Sequence, residues 1–132
     1  RLGVPAARLG LAYPLDAVTA LAQVVGPANA RDILLSARLF DADEACAMGL
    51  VNKVVEPGEL DAYVRDYASK MAANAPLTMA AAKAAIRQTF KAAAERDASS
   101  VAALVAQCFD SDDYREGVTA FLEKRRPAFK GS

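Results

Sequence analysis

Asp41 and Glu44 stand three residues apart, directly ahead of Ala45-Cys46-Ala47-Met48-Gly49. The first carboxylate can take a free backbone N–H of an opening helical turn, while the second reaches back to the N–H of the first, a reciprocal cap that forces a helix to begin there. Phe40, just before the cap, can pack on Ala45 as a hydrophobic staple. Gly49 supplies the left-handed backbone that closes a helix, so the helix is predicted to end at about Met48. Val51-Asn52-Lys53-Val54-Val55 is rich in β-branched residues and bounded by Glu56-Pro57-Gly58, which predicts a short strand.

The flanking chain reads as mainly helical. Of its 132 residues 54% are hydrophobic, largely alanine, which favours helices that approach closely and is enough for one domain with a modest core. Pro14-Leu15-Asp16 introduces Val18, Leu21, Ala22 and Val25 on one helical face, stopped by Gly26-Pro27. A second short helix follows, with Ile33, Leu34 and Ala37 inward and Arg31, Asp32 and Arg38 outward. Leu60, Val64, Tyr67, Ala68 and Met71 form one stripe of an amphipathic helix from Glu59 to Asn74. Pro76 suits the first turn of the next, which is predicted to run to about Ala94 with Met79, Ala82, Ile86 and Phe90 in line. Val101, Leu104, Val105 and Cys108 mark another, and Tyr114, Val118, Phe121 and Leu122 the last, terminated by Pro127. Residues 1–13 alternate only weakly, so short extended segments and turns are expected there.

Several function classes find no support. Sixteen basic and 16 acidic residues give a formal net charge of +0, so neither nucleic acid nor an anionic membrane is expected as a partner. No apolar run approaches the roughly 20 residues needed to cross a bilayer, and the first residues lack the order of a signal peptide, which predicts a cytoplasmic, soluble protein. The chain contains no histidine, which removes Ser-His and Cys-His nucleophile pairs and the usual zinc sites. Cys46 and Cys108 are expected as buried free thiols, without disulfide or metal. Asp110-Ser111-Asp112-Asp113 lacks the glycine and closing glutamate of a calcium loop and reads as helix capping. The chain opens on Arg1 rather than methionine, as at a cut point or the start of an ordered piece.

Ser36-Ala37-Arg38, Glu44-Ala45, Met48-Gly49-Leu50-Val51 and Val54-Val55 together resemble a segment of the enoyl-CoA hydratase/isomerase family, the crotonases. The resemblance runs from Gly3-Val4-Pro5 to Lys124-Arg125-Arg126 and covers the second half of a crotonase chain. It implies an α/β crotonase-type spiral fold, of which this chain would be the mainly α C-terminal half with short strands. Residues 1–57 would complete the spiral core, and residues 58–132 would form a helical oligomerisation and CoA-covering region. Without its other half the first segment would lack a sheet to lie against and would show an apolar patch.

The resemblance also implies chemistry. Two glutamates in a crotonase hydratase manage water and a proton on an unsaturated thioester, while two backbone N–H groups hold the oxygen of the forming enolate. The oxyanion donors and the first glutamate belong to the other half. The second glutamate lies in Pro-Glu-x-x-Leu-Gly, which stands here as Pro5-Ala6-Ala7-Arg8-Leu9-Gly10, so Ala6 takes the glutamate position and a methyl group can move no proton. The next, glycine-rich stretch of hydratases is replaced by Tyr13-Pro14-Leu15-Asp16-Ala17. Asp16 is then a candidate catalytic carboxylate, with a helix-start residue as the plain alternative. Tyr13 is a candidate substrate-binding residue, as pocket wall or proton donor. Phe121 and Lys124 match residues that hold the CoA nucleotide in relatives, although Phe121 also lies on an apolar stripe and Lys124 at a helix end. No cofactor is implied beyond coenzyme A as part of the acyl-CoA substrate, and a homotrimer or hexamer is the expected assembly. The competing reading is a catalytically inactive acyl-CoA-binding or assembly subunit. An unrelated helical adaptor is a third.

Overall fold

Gly26 and Pro27 break the first long helical run as their chemistry requires. The structure is a computed structural model describing residues 1–132, and it divides into two compact units, Arg1–Pro57 and Gly58–Ser132. In the first, α1 is a single turn, Ala6–Leu9, and α2 spans Leu15–Ser36 with non-helical backbone at Gly26 (φ 77, ψ 159). Only glycine takes that conformation without a steric cost, and Pro27 then opens the next turn. Residues 15–25 and 27–36 are thus two helices meeting at a kink, as the spacing predicted.

The short helix α3, Ala42–Ala47, carries the full reciprocal cap. The Glu44 N–H donates to Asp41 Oδ1 at 2.8 Å, and the Asp41 N–H donates to Glu44 Oε2 at 3.4 Å. Phe40, beside this cap, has no exposed surface and joins Val25, Ala30 and Ile33 in the core of the unit. Leu2 and Phe40 exchange backbone hydrogen bonds of 3.0 and 2.7 Å in an antiparallel bridge. The Arg38 guanidinium lies 3.9 Å over the Phe40 ring and bonds Asp32 at 2.9 Å and Glu44 at 2.8 Å. Arg38, expected outside, is therefore a half-buried tie between the end of α2 and the start of α3. Those bonds lower the Asp32 carboxyl below its ordinary value, Arg38's hydrogen bond first among the causes.

Two expectations for this unit need correction. The strand predicted over Val51–Val55 does not form, and the one β-bridge is that between Leu2 and Phe40. β-branched residues favour a pleated surface only where another strand offers its edge. Residues 6–9, within the stretch expected to hold short extended segments and turns, form one helical turn. Pro5 ahead of Ala6-Ala7-Arg8-Leu9, with Gly10 left-handed behind them (φ 68), is helix punctuation on a small scale.

The second unit is a run of helices: α4 Leu60–Ala72, α5 Pro76–Thr89, α6 Ala98–Asp110 and α7 Asp112–Leu122, with a 3-10 turn at Ala93–Glu95. α5 packs on α6, and α6 on α7. The α4 stripe Leu60, Val64, Tyr67 and Met71 is exposed throughout. α5 ends before the predicted Ala94, because Asp97 caps the start of α6 through the Ser100 N–H at 2.9 Å and the chain must reverse within residues 90–97. Ile86 and Phe90 of its predicted stripe are exposed, and Ala81 is the residue buried. α7 likewise stops ahead of Pro127. The Arg125 N–H donates to Ala120 O at 3.0 Å and the Lys124 N–H to Phe121 O at 3.2 Å, a Schellman ending with Lys124 left-handed at φ 55. The cysteines are free, and half-buried rather than buried.

Replacing Phe40 by alanine is expected to cost about 3–5 kcal/mol in urea unfolding, and Asp41→Ala only about 1 kcal/mol. Equal losses would show that the ring is not the packing centre of its unit.

Candidate functional site

Pro5 places Ala6 at the start of α1, where its methyl group is 6% exposed. The Gly10 N–H donates to the Ala6 carbonyl, so the backbone of this residue serves the turn and its side chain faces inward. No acidic residue precedes Asp16 in the sequence. Asp16 lies exposed in the first turn of α2, and its Oδ1 accepts from the Ala17 N–H at 2.9 Å. Tyr13 is exposed in the connection between α1 and α2.

The other two candidates belong to the second unit. An apolar cleft of about 680 Å³ lies there between α5, α6 and α7. Ala81, Ala82 and Ala85 leave the hollow because a methyl group fills little of the space between packed helices, and Val105, Phe121 and Phe129 supply larger apolar walls. Phe121 lines the cleft and is 82% exposed. Lys124 comes three residues later, at the left-handed position that ends α7. Phe121 and Lys124 are thus neighbours at one helix end, while Tyr13 and Asp16 are neighbours in the first unit.

Two acidic side chains of α7 take several partners each. Arg125 forks onto Glu116, Nη1 to Oε1 at 2.6 Å and Nη2 to Oε2 at 2.8 Å, and its Nε reaches Glu123 at 2.6 Å. The Ala128 N–H also donates to Glu116 Oε1 at 2.8 Å. Arg125's hydrogen bonds, with the Ala128 N–H second, hold the Glu116 carboxyl down at about 2. Asp113, 4% exposed, accepts from the Lys130 N–H at 2.7 Å and the Gly131 N–H at 2.8 Å. Asp113's partners lie 17 and 18 residues away, so only the capping character of the Asp110–Asp113 run was legible beforehand. Ser111 does cap α7, accepting from the Tyr114 N–H at 3.0 Å. No group of three or more His, Cys, Asp or Glu is placed to hold a metal, and no helix is long and apolar enough to cross a membrane.

The sequence matches the family model for enoyl-CoA hydratase/isomerase across residues 1–132. The chain belongs to that family. It is 36% identical over 129 residues to a crotonyl-CoA hydratase of Syntrophomonas wolfei, covering 98% of this chain and 50% of that protein. A short-chain-enoyl-CoA hydratase of Clostridium acetobutylicum is 33% identical, over 96% of this chain and 48% of its own length. A crystal structure of an enoyl-CoA hydratase/carnithine racemase from Magnetospirillum magneticum superposes with a TM-score of 0.87 at 36% identity, covering 98% of this chain and 48% of that one. The chain therefore spans about half the length of these enoyl-CoA hydratase/isomerase relatives, and its mainly helical architecture is that of the C-terminal half of the crotonase fold.

The Glu116 shift predicts an acid-sensitive tail. A carboxyl lowered from 4.5 to about 2 contributes stability that is complete above its unfolded value and is lost as pH falls through the folded one. The stability difference between the wild type and Glu116→Gln should therefore be constant above about pH 5 and shrink steadily toward about pH 2 in urea titrations. A pH-independent difference would exclude the ion pair as its source.

Proposed function

We propose that this chain is the C-terminal half of an acyl-CoA enzyme that works through a thioester enolate and has left the ordinary two-glutamate hydration route. Membership of the enoyl-CoA hydratase/isomerase family supports the reaction class, and relatives named for crotonyl-CoA and short-chain enoyl-CoA hydration support an acyl-CoA substrate. The observation that carries the departure is the buried methyl group of Ala6 on α1. Backbone N–H groups of the preceding half would hold the enolate oxygen, and a single carboxylate there would carry the proton. Asp16 is the nearest acidic residue in sequence able to take a share of that work, with Tyr13 at the pocket wall.

In this reading Phe121 and Lys124 meet the CoA nucleotide, the ring by stacking on adenine and the ammonium by charge on phosphate. The enzyme is a cytoplasmic homotrimer or hexamer that uses no cofactor beyond the coenzyme A of its substrate, and the isolated half is inactive. The enolate passes to a hydrated or an isomerised product. A second reading, a catalytically inactive acyl-CoA-binding or assembly subunit, draws on the same Ala6.

Turnover of crotonyl-CoA by the full-length protein separates the readings. Hydration is expected to be slow, and Ala6→Glu is expected to raise it by roughly 10²–10⁴-fold, the usual contribution of a positioned acid or base. Rapid hydration by the wild type would overturn the role given to Ala6. Acyl-CoA binding without turnover of any enoyl-CoA, measured by calorimetry, would select the binding subunit. Lys124→Gly is expected to weaken CoA binding while relieving the left-handed backbone, so affinity falls as stability rises. Unchanged affinity would leave Lys124 a helix terminus only.

A further inference from the structure

Residues 123–132 leave α7 and return along it as an extended tail without secondary structure of its own. A segment of this kind stays in place only if its backbone groups find partners. It has two sets. Near the helix end, Glu116 takes Arg125 in a fork and the Ala128 N–H. At the helix start, Asp113 takes the Lys130 and Gly131 N–H groups, and the Ser132 carbonyl oxygen accepts from the Asp112 N–H at 2.8 Å and the Asp113 N–H at 3.2 Å. Asp113 is one of only two buried polar side chains in the chain, and both its oxygens are committed to this tail.

Between the two anchors lies Phe129, a wall of the apolar cleft. Its ring crosses α7 at Gly117, where an added Cβ would stand 3.5 Å from the ring. Further along, Gly131 passes the Pro76 side chain at the start of α5, 3.4 Å from where its own Cβ would be. The tail thus reaches from α7 to α5, two of the helices that frame the cleft.

We propose that residues 123–132 are a strap that closes one wall of this cleft, and that Asp113 is the positioning residue that latches it. The strap's hold on Phe129 is polar at both ends and apolar in the middle. Losing an anchor frees the ring while α5 stays packed on α6 and α6 on α7. Release of the strap opens the cleft toward Cys108, a half-buried thiol on its α6 wall. The inference holds for an enzyme and for a binding subunit alike.

Asp113→Asn in the full-length protein tests the latch, because the amide keeps the shape but offers one acceptor oxygen to two N–H donors. Hydrogen exchange at the Lys130 and Gly131 amides is expected to accelerate roughly 10-fold or more, the loss of a bond to a charged acceptor. Alkylation of Cys108 by N-ethylmaleimide, followed by mass spectrometry of its peptide, is expected to rise roughly three-fold or more as the cleft opens locally. Phe129→Ala leaves both anchors intact and is expected to raise Cys108 alkylation while the Glu116 and Asp113 contacts stay protected. Unaltered exchange in Asp113→Asn would show that Asp113 is no latch. Faster exchange with unaltered Cys108 alkylation in both variants would show that the tail does not gate the cleft. Should Asp113→Asn lose its helical circular dichroism, Phe129→Ala alone decides, and unaltered alkylation there overturns the proposal.

Discussion

Helices as short as these leave a large share of their backbone N–H and C=O groups without an intrahelical partner, and every such group must be satisfied where the chain turns. That requirement organises both units. Asp41 and Glu44 meet it at the start of α3, Asp97 at α6 and Ser111 at α7, each with a side-chain oxygen on a backbone N–H. At the end of α7 the left-handed Lys124 meets it with backbone alone. Phe40 is fully buried because the cap beside it and the bridge to Leu2 consume the polar groups that would otherwise have to accompany the ring into the core.

The parts of the fold that could be read in advance are those whose cause lies within a few residues. The Asp41–Glu44 cap, the Gly26-Pro27 break and the left-handed Gly49 each carry their reason in adjacent letters. The failures share the opposite property. Val51–Val55 has strand-forming side chains but no neighbouring edge, and an edge is not a local quantity. α5 stops early because Asp97 captures the next helix. Asp113 was visible as part of a polar run, but its partners are backbone groups of Lys130 and Gly131, which no side-chain pattern marks. Of the candidate site, the resemblance pointed to Ala6, Tyr13, Asp16, Phe121 and Lys124. The alanine-rich run within α5 predicted close helix contacts and gave no sign of the cleft framed by α5, α6 and α7.

Family membership and the replacement proposed at Ala6 pull in different directions unless the site's two kinds of function are separable. A crotonase-type site divides its labour, with charge stabilisation by backbone dipoles and proton movement by side chains. The first can survive the loss of a glutamate because it depends on main-chain geometry. In the proposed reading, the buried methyl group at Ala6 would remove only the second kind of function, and only at one place. On that proposal the enolate would still be stabilised, and its fate would be what changes.

Ser111 lies at the junction of two helices with no spacer. Its hydroxyl donates to the Cys108 carbonyl at 2.6 Å and accepts from the Tyr114 N–H at 3.0 Å, so one oxygen closes α6 and opens α7. The Phe109 and Tyr114 rings meet edge to face across the same corner, with centroids 5.3 Å apart. The two helices thus share one hydroxyl at their junction, with no residue between them to serve either end alone. Losing that oxygen would leave the end of one helix and the start of the next short of a partner at once.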